Sequence, residues 1–202
     1  MLNAGFTTLD TLKNRILPEA ARFDTEYDSA LSDLGLSIAK RIENHCNRKF
    51  ARNTAAVDEF SAWNLSLTLK QYPVESITSV QLRDVDGTLT TIDVDYSLDE
   101  ACGLLDFDAV PGNKQQRLVV TYSGGYWLDP DDGTAMPAGA EALPYDIREI
   151  WLAEVQRHAE ARGTFEAVGL RAQTDGDKAV RISGLSSDTI ETLRTYRRFS
   201  GE

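Results

Sequence analysis

The sequence predicts an α+β protein: a small bundle of amphipathic helices, an inserted antiparallel β module and an extended C-terminal tail. Three observations predict it. Apolar residues recur at helical spacing over residues 25–47 and again over 145–162. Between these stretches the period changes to two, with a hairpin turn signal at Asp86-Gly87. Beyond them no apolar pattern is sustained, because glycines at 163, 169, 176 and 184 interrupt the chain. The expected division is a core over residues 1–165, with helices at about 7–50 and 144–165 and the β module at about 56–126, followed by an assembly tail over 166–202.

Thr7 or Thr8 caps a short first helix through Leu9, Leu12 and Ile16, with Asp10 at its positive end. Pro18 closes it. Asp24 or Thr25 caps a longer helix whose apolar positions, Tyr27, Leu31, Leu34, Ile38 and Ile42, form one stripe. Lys40, Arg41, Arg48 and Lys49 suit its negative end, and Asn47 tolerates the left-handed conformation that stops a helix. Strands follow around Leu67 and Leu69, Val80 and Leu82, Leu89–Ile92, Leu104–Phe107 and Leu118–Tyr122. Residues 127–142 read as a polar loop. Pro144 opens the next helix, with Ile147, Trp151, Val155 and His158 on one face, joined by Ile150 and Leu152. Ser186 or Ser187 caps a final short helix with Ile190, Leu193 and Tyr196 on one side.

The net charge of −11 is unevenly placed. Residues 51–144 hold five basic and fifteen acidic side chains, a net of −10, whereas residues 171–202 hold six and five, a net of +1. A general nucleic-acid binder needs a basic footprint to displace counterions, so this balance argues against one. No apolar run approaches the roughly 20 residues needed to cross a bilayer, and no signal peptide is expected at the N-terminus. Cys46 and Cys102 match no metal or redox spacing and read as reduced, mostly buried thiols.

No catalytic constellation is visible. His45 and Cys46 are neighbours on a helix, so their side chains diverge by about 100°. His158 lies on an apolar face and reads as a satisfied core or interface histidine, not a ligand. Asp129, Asp131 and Asp132 before Gly133 fail the spacing of a calcium loop. Asp84, Asp86, Asp93 and Asp95 read as the wet face of a hairpin. Gly124-Gly125 follows a strand, but no phosphate-loop lysine comes after it. Neither an enzyme nor a cofactor is expected.

Five phrases in order carry a resemblance: Ile42-Glu43-Asn44-His45-Cys46-Asn47-Arg48-Lys49-Phe50, Tyr72-Pro73-Val74-Glu75-Ser76-Ile77-Thr78-Ser79-Val80, Val119-Val120-Thr121-Tyr122-Ser123-Gly124-Gly125-Tyr126, Leu143-Pro144-Tyr145-Asp146-Ile147-Arg148 and Thr195-Tyr196-Arg197-Arg198-Phe199. Together they resemble the head-tail connector, or adaptor, proteins of tailed bacteriophages and prophages. The resemblance implies a structural virion protein with no reaction and no cofactor. It implies a ring of about a dozen copies with closed symmetry in the virion neck, assembled in the host cytoplasm. The ring would bind the portal protein and the downstream neck or tail component, and extend a channel through which DNA passes without specific binding. Two further readings are another neck protein, such as a head-closure or tail-completion factor, and a DNA-packaging accessory factor. The tail supplies the candidate portal or subunit contacts: Ile190, Leu193, Arg194, Tyr196, Arg197, Arg198 and Phe199. It is expected to be mobile in the free subunit and to become ordered on assembly.

Overall fold

The computed structural model describes residues 4–130, 134–162 and 184–198. The chain forms two compact units. A helical unit gathers residues 1–46, 128–135 and 143–197, and a β unit gathers residues 47–127, 136–142 and 198–202. The class is the α+β one that the sequence predicts.

In the helical unit, α1 (Leu9–Ile16) is capped by Thr8, whose hydroxyl accepts from Thr11 N at 3.3 Å. A short 3₁₀ turn (Glu19–Ala21) follows Pro18. The second helix, α2 (Asp28–Cys46), starts later than the expected cap at Asp24 or Thr25. The reason is local: the Asp24 carboxylate accepts from Glu26 N at 3.0 Å and Thr25 O from Asp28 N at 3.2 Å, so both serve the preceding turn. Lys13 then ties α1 to this junction, donating to Asp28 Oδ1 at 2.6 Å and Asp24 O at 2.7 Å.

Leu31, Leu34, Ile38 and Ile42 are buried along α2, as the stripe predicts. The helix stops at Asn47, which takes the left-handed conformation with φ of 51°. Its partner is α3 (Tyr145–Arg162), which buries Ile147, Trp151, Leu152, Val155, His158 and Ala159. These two helices pack on each other, and α1 packs on both. The last helix, α4 (Ser187–Leu193), is capped by Ser186 and runs into a 3₁₀ turn (Arg194–Tyr196).

The β unit holds two antiparallel sheets and a small parallel pair. The larger sheet has the order β1 (Asn53–Ser61), β7 (Arg117–Gly124), β3 (Val74–Arg83), β4 (Leu89–Thr91). The register is Val57 opposite Thr121, Val80 opposite Val120 and Leu82 opposite Thr90. In the smaller sheet β6 (Leu104–Phe107) lies between β2 (Ser66–Thr68) and β5 (Tyr96–Asp99). Leu67, Leu69, Val80, Leu105, Phe107, Leu118, Val120 and Tyr122 meet in one core. Within it, Asp58 Oδ2 accepts from Tyr122 OH at 2.8 Å and from Lys70 N at 2.7 Å. Burial, reinforced by the Asp58 charge, pushes the Tyr122 phenol up and keeps it a neutral donor.

Two elements depart from the sequence reading. β1 begins before the expected module boundary of about residue 56, because its first residues are exposed and carry no alternation. The loop over 127–142 hides β9 (Glu141–Ala142), which pairs in parallel with β8 (Tyr126–Trp127). Gly124 and Gly125 leave room for backbone: a Cβ on either would lie 2.6 Å from Gln71 O or Ala51 O. They are packing glycines, not a phosphate loop.

Candidate functional site

The phrases that carry the resemblance gather in two groups, one in each unit. Three of them meet in the β unit around Arg48, which is 4% exposed. Its guanidinium carbon lies 3.3 Å from the Tyr72 ring centroid, 4.8 Å from Phe50 and 5.4 Å from Tyr126. Its Nη2 donates to Tyr72 O. Burial pushes the guanidinium's pKa down, and the facing tyrosines oppose that shift. Arg48 therefore does not serve the α2 dipole, as its place near the helix end suggested. It pins the start of the β unit to the β3 edge. Beside it, Arg52 makes a bidentate pair with Glu75 at 2.5 and 2.7 Å.

The other two phrases meet in the helical unit. Tyr196 OH donates to the Asp146 carboxylate, at 2.8 and 2.7 Å from its two oxygens. Asp146 lies in the first turn of α3, so this contact holds the end of the tail helix. Its beginning is held by Glu154, a carboxylate only 2% exposed. Glu154 Oε1 accepts from Ser186 N at 2.8 Å and Thr189 Oγ1 at 2.7 Å. Its Oε2 accepts from Arg157 Nε at 3.1 Å, and Arg157 also donates to Gly184 O at 2.6 Å. Between these latches Leu193 is fully buried, and the Cys46 thiol lies 3.9 Å from its carbonyl.

The tail is expected to be mobile until assembly; over residues 184–197 the structure lays it against the helical unit of its own chain. Helix α4 packs on α2 and α3 of its own chain. It needs that support, since seven residues cannot hold a helix alone in water. Of the candidate contacts, Leu193 is buried, Ile190, Tyr196 and Arg198 are half-buried, and Arg194 and Arg197 are exposed. Arg198 belongs to the β unit, where it donates to Thr68 O. Phe199 lies outside the described residues, as do 166–183 of the expected tail and Asp131, Asp132 and Gly133.

Electrostatics at the Glu154 latch give a signed pH dependence. Burial raises the Glu154 pKa, but hydrogen bonds from Ser186, Arg157 and Thr189 outweigh it and hold the carboxyl below its ordinary 4.5. Burial, with the charges of Arg157 and Arg41, holds His158 below its ordinary 6.5 despite the Glu154 charge. Both groups bind protons more readily when unfolded, so their contribution is present at neutral pH and lost on acidification. The His158 share goes first, below about pH 6.5. Thermal melts at pH 7 and pH 5 are expected to differ by less in His158→Gln than in the parent. An equal or larger drop in the variant would exclude His158 as a source.

Among the described residues no group of three or more His, Cys, Asp or Glu is placed to hold a metal ion. None of their helices is long and apolar enough to cross a membrane. The local geometry is that of interlocked structural contacts. No family model and no curated protein matches the sequence. Solved structures do match over the full length. A chain in the virion of a native gene transfer agent particle is similar with a TM-score of 0.61 at 14% identity, covering 100% of this chain and 94% of that one. A chain in the neck of the empty gene transfer agent particle, computed with C6 symmetry, gives 0.61 at 15% identity, with the same coverage. A chain in the neck of the native particle, computed with C12 symmetry, gives 0.52 at 18% identity, covering 100% of this chain and 97% of that one. At these identities the likeness establishes a shared fold, and that fold is one found in particle necks.

Proposed function

We propose that the chain is a structural subunit of the neck of a phage-like particle, one copy in a ring that joins the portal to the tail or to the next neck component. The observation that carries this reading is the full-length fold likeness to chains of two neck structures, one computed with C6 and one with C12 symmetry. The order of the five sequence phrases supports the same role, and so does the charge. A net of −10 over residues 51–144 suits a channel along which DNA slides without sticking, because like charges repel.

The portal or subunit contacts are assigned to residues 166–202. Within the described part, the exposed face around the last turn offers Arg197 to carboxylates of a partner, and Arg194 once it exchanges its surface pair with Glu191 at 2.5 Å, with the half-buried Ile190 and Tyr196 as apolar contacts. Leu193 acts from inside, by holding that face in place. Phe199 is a further candidate contact. No reaction is assigned.

Mixed with portal rings, the chain is expected to add a second ring of about a dozen subunits, seen by electron microscopy and sized by light scattering. A chain that stays apart from portal sinks the reading. Titration with duplex DNA is expected to show no appreciable binding; tight, salt-sensitive binding would point to a packaging factor instead.

A further inference from the structure

We infer that neighbouring copies meet edge to edge through their β units: the β3–β4 hairpin arm of one copy docks on the Trp63–Lys114 corner of the next. This contact rests on the ring reading above and names the surfaces that would close the ring. The occupant on each side is a second copy of this chain.

The arm is unusual for a strand pair. Every residue from 84 to 91 is exposed, including Val85 at 75% and Leu89 at 46%. A strand of a packed sheet normally hides one face, and β4 hides none. The arm is nevertheless a defined shape. Asp84 N donates to Thr88 O and Gly87 N to Asp84 O, both at 2.9 Å, and Asp86 Oδ1 accepts from Thr88 N at 2.9 Å. Gly87, with φ of 90°, supplies the left-handed residue the turn requires. Its tip therefore presents an aliphatic side chain, Val85, between two carboxylates, Asp84 and Asp86.

The opposite edge of the same sheet carries the complement. In the turn after β1, Trp63 is 51% and Leu65 48% exposed. The exposed Lys114 places its ammonium 5.4 Å from the Trp63 ring centroid. The corner is thus aromatic and cationic where the arm is aliphatic and anionic, the arrangement of an apolar anchor with charges at its rim.

Register places the two surfaces at one level. Ser61 pairs with Arg117, Arg117 with Arg83, and Arg83 with Leu89, so the Trp63 turn and the hairpin tip share one end of the sheet. The strand order β1-β7-β3-β4 puts them on opposite lateral edges. Rotation about an axis parallel to the strands carries the arm of one copy to the corner of the next without a rise. The surfaces are unlike, so the contact is head-to-tail, the kind that forms rings when the rotation closes.

Cross-linking tests it. In a Cys102→Ser background, Thr88→Cys beside the arm's Val85 and Asn64→Cys beside the corner's Trp63 are introduced singly and together, leaving both anchors in place, and oxidised in mixtures with portal rings. Both positions are exposed, so folding is retained; of the native cysteines Cys46 is buried, whereas Cys102 is exposed, contrary to the expectation of buried thiols. A bond within one chain is excluded, because β1 and β4 are three strand spacings apart, about 14 Å, beyond the roughly 7 Å that a disulfide spans between Cα atoms. The double variant is expected to give a ladder of three and more chains, while each single variant stops at dimers. A ring visible by electron microscopy without a ladder overturns this contact and leaves the ring reading standing. Absence of both ring and ladder overturns the two together.

Discussion

Trp151→Ala is expected to cost the helical unit about 3–5 kcal/mol in urea unfolding. The side chain is fully buried in α3, at the point where α2 and the N-terminal segment cross it. Its indole Nε1 donates to Gly35 O at 3.0 Å, and the Phe6 ring lies 6.0 Å away at a tilt of 49°. The neighbours are built around the indole and cannot collapse onto the space it leaves. A Cβ on Gly35 would lie 2.1 Å from Ala4 O and 3.1 Å from the Trp151 ring, so backbone already fills the far side. The result is a cavity bounded by rigid main chain, the condition under which truncation is most costly. A loss below about 1 kcal/mol would mean that this face of α3 is not the core. Trp151→Phe separates the parts: it keeps most of the packing and loses the indole hydrogen bond, so it is expected to cost less than half as much.

The same site shows where the sequence was legible and where it was not. The stripes of α2 and α3 could be read because each residue that repeats at helical spacing is buried for its own hydrophobicity. Gly35 could not be read, since a glycine inside a helix is by itself only a mild destabiliser. Its reason lies in the Ala4 backbone, far earlier in the chain. The Asp86-Gly87 hairpin was legible because the turn chemistry is local, whereas β5 was not, because Tyr96 and Ser97 are exposed and leave no alternation. Charged residues were the hardest to place. Arg48 reads as a helix-end cation and Lys13 gives no sign of its role, yet both are buried with specific acceptors. Glu154 shows in the sequence only as a neighbour of Arg157 three positions on; its other partners, Ser186 and Thr189, are more than thirty positions away. Pattern reports which face is apolar, but not which charge a distant backbone N–H will satisfy. That is why the candidate tail contacts could be named from the sequence while the latch that positions them could not.

That latch carries the second large effect. Glu154→Ala is expected to undock α4 at a cost of about 3 kcal/mol, because removing one partner of a buried charged network leaves the others unsatisfied. Ser186 N and Thr189 Oγ1 lose their acceptor, and Arg157 loses the carboxylate that aims it at Gly184 O. The cost should be local. Helix α4 has few other anchors, chiefly Leu193 in its socket and Tyr196 on Asp146, so it can leave α2 and α3 without unfolding them. Hydrogen exchange reads this directly. Amides of residues 189–193 are expected to exchange roughly a hundredfold faster in the variant, the equivalent of about 3 kcal/mol of lost protection. Amides in the middle of α2 and α3 should stay within a few-fold of the parent. Exchange of α4 that is unchanged would show that Leu193 alone holds the helix; a collapse of protection throughout α3 would show that Glu154 supports the whole bundle. Under the ring reading, the local outcome has a consequence for assembly. The variant remains folded but no longer presents Arg194 and Arg197 on a fixed face, so it should join portal rings more weakly than the parent at equal concentration.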